Sequence, residues 1–136
     1  MKRQIVKFGP NAVLPLLNHV VTGLHFDEGC VTCIFEQDAH TDRPKVTLSE
    51  TLCFTDTDGQ VSRYSLEDNT EHMRAMGILL TLMWTEVVSS HVDAQGALSL
   101  VFSNGCQLVA QTVHWQGWAY HGYGEQLEGR CGRWVG

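Results

Sequence analysis

Two stretches of the chain read as copies of one unit: VVTGLHFDEGCVTCIF at 20–35 and VVSSHVDAQGALSLVF at 87–102. Val20, Val21, Gly29 and Phe35 match Val87, Val88, Gly96 and Phe102 without a gap. A shift of one residue also aligns His25-Phe26-Asp27 with His91-Val92-Asp93 and leaves the second turn one residue longer. Each copy alternates apolar and polar residues, turns at Asp and Gly, then alternates again, which is the signature of a β-hairpin. A chain built this way is constrained to antiparallel sheet.

The segments after each copy are also alike. TLCFTDTDGQVSRYS (51–65) and GWAYHGYGEQLEGRC (117–131) each read as strand, Gly-containing turn, strand. FSNGCQLVAQ turns at Asn104-Gly105, the strongest short hairpin signal. Its counterpart FEQDAHTDRPKVTLS is longer and polar and reads as a loop extending the same turn. Between the copies the period changes. Asp68 with Glu71 three residues on forms a capping box, and Met73, Met76, Leu80 and Met83 fall on one helical face as core filler, with Ile78 and Leu79 widening the stripe. The fold expected is α+β: one compact domain over 1–136, two duplicated antiparallel β units (about 18–66 and 86–132) joined by one packing helix at about 69–84. The order of strands, and whether they form one sheet or two, stays open.

At 136 residues the chain is long enough for a real core, and its 43% hydrophobic content fits a globular domain. The longest apolar run, GILLTLMW, is far short of the roughly 20 residues a membrane span needs. The basic N-terminus is followed by no long apolar stretch and by no cleavage-site pattern, so no signal peptide is expected. Five scattered cysteines, an odd number, fit reduced thiols in a cytoplasm. The net charge of −6 is uneven: eleven acids and three bases lie between Asp27 and Glu71, four acids and six bases elsewhere. Such a segment repels nucleic acid and steers a basic protein partner.

The candidate chemical sites are weak. Cys30-Val31-Thr32-Cys33 has zinc or redox spacing, but positions three apart on a strand face opposite ways. His25 with Asp27 and His91 with Asp93 read as turn-forming aspartates beside surface histidines. No nucleophile elbow and no phosphate-binding glycine loop occurs. No catalytic residue, cofactor site or metal site is therefore expected. Trp118 and Tyr120 align with Leu52 and Phe54 and belong to the core, whereas Trp115, Tyr123 and Trp134 have no such counterpart and are candidates for a contact surface.

The ordered segments LLNHVVTGLHFDEGCVTCIF, LCFTDTDGQVSRYS, VVSSHVDAQGALSLVFSNGCQLVAQ and QGWAYHGYGEQLEGRC resemble a family of small uncharacterised bacterial domains. The resemblance covers roughly 12–132 and rests most on Asp93, Gly96, Leu98, Leu100, Phe102, Asn104-Gly105, Leu108, Trp118 and Cys131. These are turn and core types, so the resemblance implies fold more than chemistry, and it supplies no catalytic residue. Members look like immunity proteins of interbacterial toxin systems, small acidic cytoplasmic proteins that bind and neutralise a cognate toxin. This chain departs from the family's pattern after Cys131-Gly132, where a Pro-Gly-Gly-like turn and another strand give way to RWVG.

The leading expectation is thus an inhibitor of a protein toxin, a basic one, with Asp38, Asp42, Asp56 and Asp58 steering the encounter and Trp115 or Tyr123 as the anchor. A small-ligand or regulatory module with a pocket near Trp115 and His121, as a monomer or a homo-oligomer, is the alternative. A hydrolase using Cys106 or Cys131 with a histidine ranks last.

Overall fold

A computed structural model describes residues 3–38 and 42–136. The first strands are β1 (Val6–Phe8), β2 (Asn11–Val13), β3 (Val20–Asp27), β4 (Cys30–Glu36), β5 (Lys45–Leu48), β6 (Thr51–Thr55) and β7 (Val61–Ser65). Helix α1 (Asn69–Leu79) follows, continued by one 3-10 turn at Leu80–Leu82. The rest is β8 (Val87–Val92), β9 (Leu98–Phe102), β10 (Gln107–Gln111), β11 (Gln116–Gly122), β12 (Glu125–Arg130) and β13 (Arg133–Val135). They form two sheets, ordered β1-β2-β8-β9-β10-β6-β7 and β13-β12-β11-β5-β4-β3, and every pairing is antiparallel.

The expected division into two duplicated units is not what forms. Strands β6 and β7 of the first half complete the sheet of β8, β9 and β10, while β11 and β12 of the second half complete the sheet of β5, β4 and β3. The physical cause lies in two corners. Ser49-Glu50 and the loop 112–115 each carry the chain from one sheet to the other, so each following hairpin joins the opposite partner. The corners touch: Ser49 N–H donates to Gly117 O at 2.9 Å and Gly132 N–H to Thr112 O at 2.6 Å. Gly117 permits this, since a Cβ there would sit 2.1 Å from Gln111 O. At the hairpins themselves the two copies do agree, with a β-bulge after Val21 in one and after Val87 in the other.

Alternation along each strand buries one face. Leu52, Leu98, Leu100 and Leu108 from one sheet meet Val31, Val46, Leu48, Trp118 and Tyr120 from the other, all at most 1% exposed. The indole N–H of Trp118 donates to Gly96 O at 2.7 Å, and Gly129 leaves room for its ring. The sandwich is closed at its sides. Trp134 on β13 donates to Pro10 O at 2.7 Å, and Lys7 lies 5.7 Å from the centre of its ring. The chain end is therefore a paired strand, half-buried at Trp134, which withdraws that residue from the candidate contact surface.

Helix α1 starts at Asp68, whose carboxylate accepts from Thr70 N–H and Glu71 N–H. Glu71 reaches back to Ser65 N–H instead of to Asp68, so only half of the expected capping box is present. The methionine stripe is corrected in part: Leu79 is buried and Ile78 and Met83 pack against the core, but Met73 and Leu80 are 70% and 56% exposed, and Ala75 and Leu82 are buried beside them. The helix packs against the β7 edge and sets His72 against Phe26 and Cys30 O of the β3–β4 hairpin, so the small Ala75 faces the sheets while Met73 and Leu80 face out. The polar stretch before β5 is shorter than expected, because Lys45–Leu48 is already strand.

Candidate functional site

Each corner of the sandwich presents something different. At one end of β11 stands the loop 112–115. Glu50 accepts from Val113 N–H at 3.1 Å and from Trp115 N–H at 2.6 Å. Thr112 Oγ1 and Cys131 N–H both donate to Trp115 O. The backbone of the loop is thus held from three sides, while the Trp115 side chain is 75% exposed and Val113 is 63% exposed. A notch of about 190 Å³ lined by Glu50, Arg63, Glu67 and His114 adjoins it.

At the other end of β11 the aromatic residue has a different fate. Tyr123 hydroxyl lies 2.5 Å from His19 Nε2, and His19 Nδ1 lies 3.1 Å from Leu17 O. A carbonyl only accepts, so Nδ1 carries the proton and the tyrosine hydroxyl donates to Nε2. Burial lowers the His19 pKa, with Arg3 acting in the same direction, which keeps this ring neutral. Arg3 stacks 5.3 Å from the centre of the Tyr123 ring, and Tyr123 N–H donates to Asp42 at 2.7 Å. Tyr123 is half-buried in a junction of three chain segments and is not a free anchor.

The four aspartates of the expected steering face divide between two turns. Asp38 and Asp42 flank the β4–β5 connection; Asp42 holds Tyr123 N–H and Arg43 N–H. Asp56 and Asp58 lie in the β6–β7 turn of the other sheet, where Asp56 accepts from Asp58 N–H and Gln60 N–H. Residues 39–41, inside the first of these connections, lie outside the described residues. Trp115 and His121 do not share a pocket: they flank opposite ends of β11, about 20 Å apart at roughly 3.3 Å per residue. His121 instead lines a cleft of about 360 Å³ with Ala119, Gln126, Leu127, Glu128, Val135 and Gly136.

The cysteines face apart as the strand period requires. Cys33 is buried, with its pKa pushed up to about 12 by burial, and Cys30 lies on the outer face of β4. Burial and, more weakly, Asp56 raise the Cys106 pKa, so that group is a thiol and a poor nucleophile. Cys131 Sγ donates to His114 O at 2.9 Å. His25 pairs with Asp27 at 3.1 Å on the surface, whereas Asp93 holds its turn through Gln95 N–H and Ala97 N–H.

The outer faces of the two sheets differ in kind. On the seven-stranded sheet one cross-strand row runs Val6, Val13, His91, Ser99, Val109, Cys53 and ends at Arg63. The next runs Ser89, Val101, Gln107, Thr55 and Val61. On the six-stranded sheet the outward positions include Asp27, Glu36, Lys45 and Glu128.

A family model matches residues 12–127, and its description is a family of unknown function, DUF6188. The chain belongs to this family. The DUF6188 match spans β2 to the middle of β12, so it includes both corners and the core tryptophan. No curated protein and no solved structure matches the chain. No helix among the described residues is long and apolar enough to cross a membrane.

The sequence marks Trp115 as lacking a core counterpart, and it is exposed, but the groups that hold its loop carry no such mark. Glu50 sits between two strands with no motif to mark it, and His19 lies in an apolar stretch that reads as plain core.

Proposed function

We propose that this chain is a non-catalytic protein-binding module of the immunity type, acting by covering the surface of a cognate protein toxin. The observation that carries the reading is Trp115, an exposed indole on a loop whose backbone is clamped. Interfaces are dominated by a few tryptophan, tyrosine and arginine anchors, and a loop ordered before binding loses little entropy when it docks. Glu67 and the acidic surplus of 27–71 favour a basic partner, with charge acting on the association rate and Trp115 on the dissociation rate. Five free thiols support a reducing, cytoplasmic setting.

The test begins with capture from a lysate of the native organism and identification of what binds in stoichiometric amount. The partner should be toxic when expressed alone and harmless beside this chain. With purified proteins, Trp115→Ala should weaken the complex at least about 30-fold, the scale of an interface hot spot. Reversing Asp38, Asp42, Asp56 and Asp58 together should slow association and flatten its salt dependence. A partner whose affinity ignores Trp115 refutes the anchor, and one without toxicity refutes the immunity reading.

The cleft beside His121 supports a second reading, a small-ligand module. Its polar groups are His121, Gln126 and Glu128. A metabolite that shifts the His121 ring resonances, with no protein captured, would favour it.

A further inference from the structure

The outer face of the seven-stranded sheet has no acidic residue in either of its two long cross-strand rows, although the protein carries a net charge of −6. Within these two rows Arg63, at one edge, is the single permanently charged side chain, and Glu50 and Glu67 line a notch beside it at the rim of the face. Each edge carries exposed apolar side chains: Val6 and Phe8 are 51% and 47% exposed on β1, and Val61 is 68% exposed on β7, the strand against which α1 packs. The six-stranded sheet, of the same antiparallel build, carries acids and a lysine on its outer face. The contrast is therefore between two surfaces of one molecule, not a property of its composition.

We propose that this face is the contact between two copies of the chain, packed sheet on sheet about a twofold axis. Two acidic molecules repel wherever acid meets acid, and this is the broad surface on which they do not. A basic partner finds no charge to complement there, while a second copy needs none. The dimensions suffice. Seven strands at about 4.8 Å and five residues at about 3.3 Å give roughly 500 Å² of flat sheet per copy, and more once the side chains that stand out of it are counted. Doubled, this passes the roughly 1,000 Å² above which an interface is specific, at the low end of the scale, so the dimer is a weak one. An axis parallel to β9 lays the β7 edge of each copy over the β1 edge of the other, and the strand register then sets Arg63 over Val6 and Ser65 over Phe8.

The test is sedimentation equilibrium of the whole chain from about 10 µM to 1 mM, in low salt and in 0.5 M NaCl. The mass should rise from monomer to dimer across this range. It should rise at lower concentration in high salt, because salt screens the repulsion between the acidic bodies and the contact itself contains no ion pair. Val109→Glu, at the centre of the face, should raise the concentration needed at least tenfold. Gln107→Glu, which keeps the side chain's shape, should do so more mildly. Gln126→Glu adds the same charge to the outer face of the other sheet and should leave the midpoint unchanged. Circular dichroism of each variant separates lost association from lost folding. A monomer under all conditions overturns the proposal, as does a dimer that responds alike to Val109→Glu and Gln126→Glu.

Discussion

Glu50 holds the loop of Trp115 with both carboxylate oxygens, and hydrogen bonds to a charged group contribute about 1.5–3 kcal/mol each when sheltered. Glu50→Ala should therefore speed amide exchange at Val113 and Trp115 by at least about tenfold, while exchange in the β9–β10 core stays slow. Glu50→Gln keeps one acceptor and should fall between. Equal protection of both amides in Glu50→Ala would mean that Thr112 and Cys131 hold the loop without it. His19 makes a pH prediction. Its folded pKa lies below the ordinary 6.5 because burial disfavours the charged ring. Above 6.5 both folded and unfolded forms are neutral and the group has no influence. As pH falls below 6.5 the unfolded chain takes up a proton that the folded chain resists, so stability declines. The thermal midpoint should fall between pH 7.5 and 5.5, and in His19→Gln that part of the slope should vanish even though the variant is less stable throughout. An unchanged slope in His19→Gln would assign the effect to other groups.

Among the elements, what could be read from the chain was what depends on local period. The hairpins at 20–35 and 87–102, the Asn104-Gly105 turn and the start of the helix at Asp68 are all set by neighbours in sequence, and all are present. Asp68→Ala should cost about 1 kcal/mol, the usual worth of an N-cap, measured as a shift in the denaturant midpoint without change in slope. No loss would mean that packing of Ala75 and Leu79 holds the helix by itself. The errors have one source: an alternating strand shows which of its faces is buried, never against which sheet. Leu52, Cys53 and Phe54 read the same whether β6 pairs with β5 or with β10. The methionine stripe fails in part for a related reason: Leu79, Ile78 and Met83 do meet the core, but hydrophobicity alone favours Met73 and Leu80 as well, whereas close approach of the helix to the β7 edge selects Ala75. At the candidate site, Trp115 was legible because it has no core counterpart in the other copy. Tyr123 was not distinguishable from it, because the histidine that binds its hydroxyl lies 104 residues earlier.

For the whole molecule the exchange of hairpins has a consequence for how the chain folds. Neither half owns a complete sheet: residues 3–66 contain β6 and β7 without the β10 edge that β6 pairs with, and β5 without β11. Inner faces built from Leu52, Val46 and Leu48 would then lack their cover, and a small domain deprived of half its buried surface is below the threshold of stability. A fragment of residues 1–84 should be unfolded or aggregated alone, and so should 85–136. Mixed or co-expressed, the two should restore the native far-ultraviolet and tryptophan spectra in a one-to-one complex, because the cut between Trp84 and Thr85 severs no strand and each fragment supplies the pairs the other lacks. The intact chain should fold slowly for its size, since both sheets wait on contacts between residues far apart in sequence. Cooperative unfolding of 1–84 by itself would sink this account. It would mean that the first half closes on its own and that the interleaving of the sheets is added after folding has begun, not the condition for it.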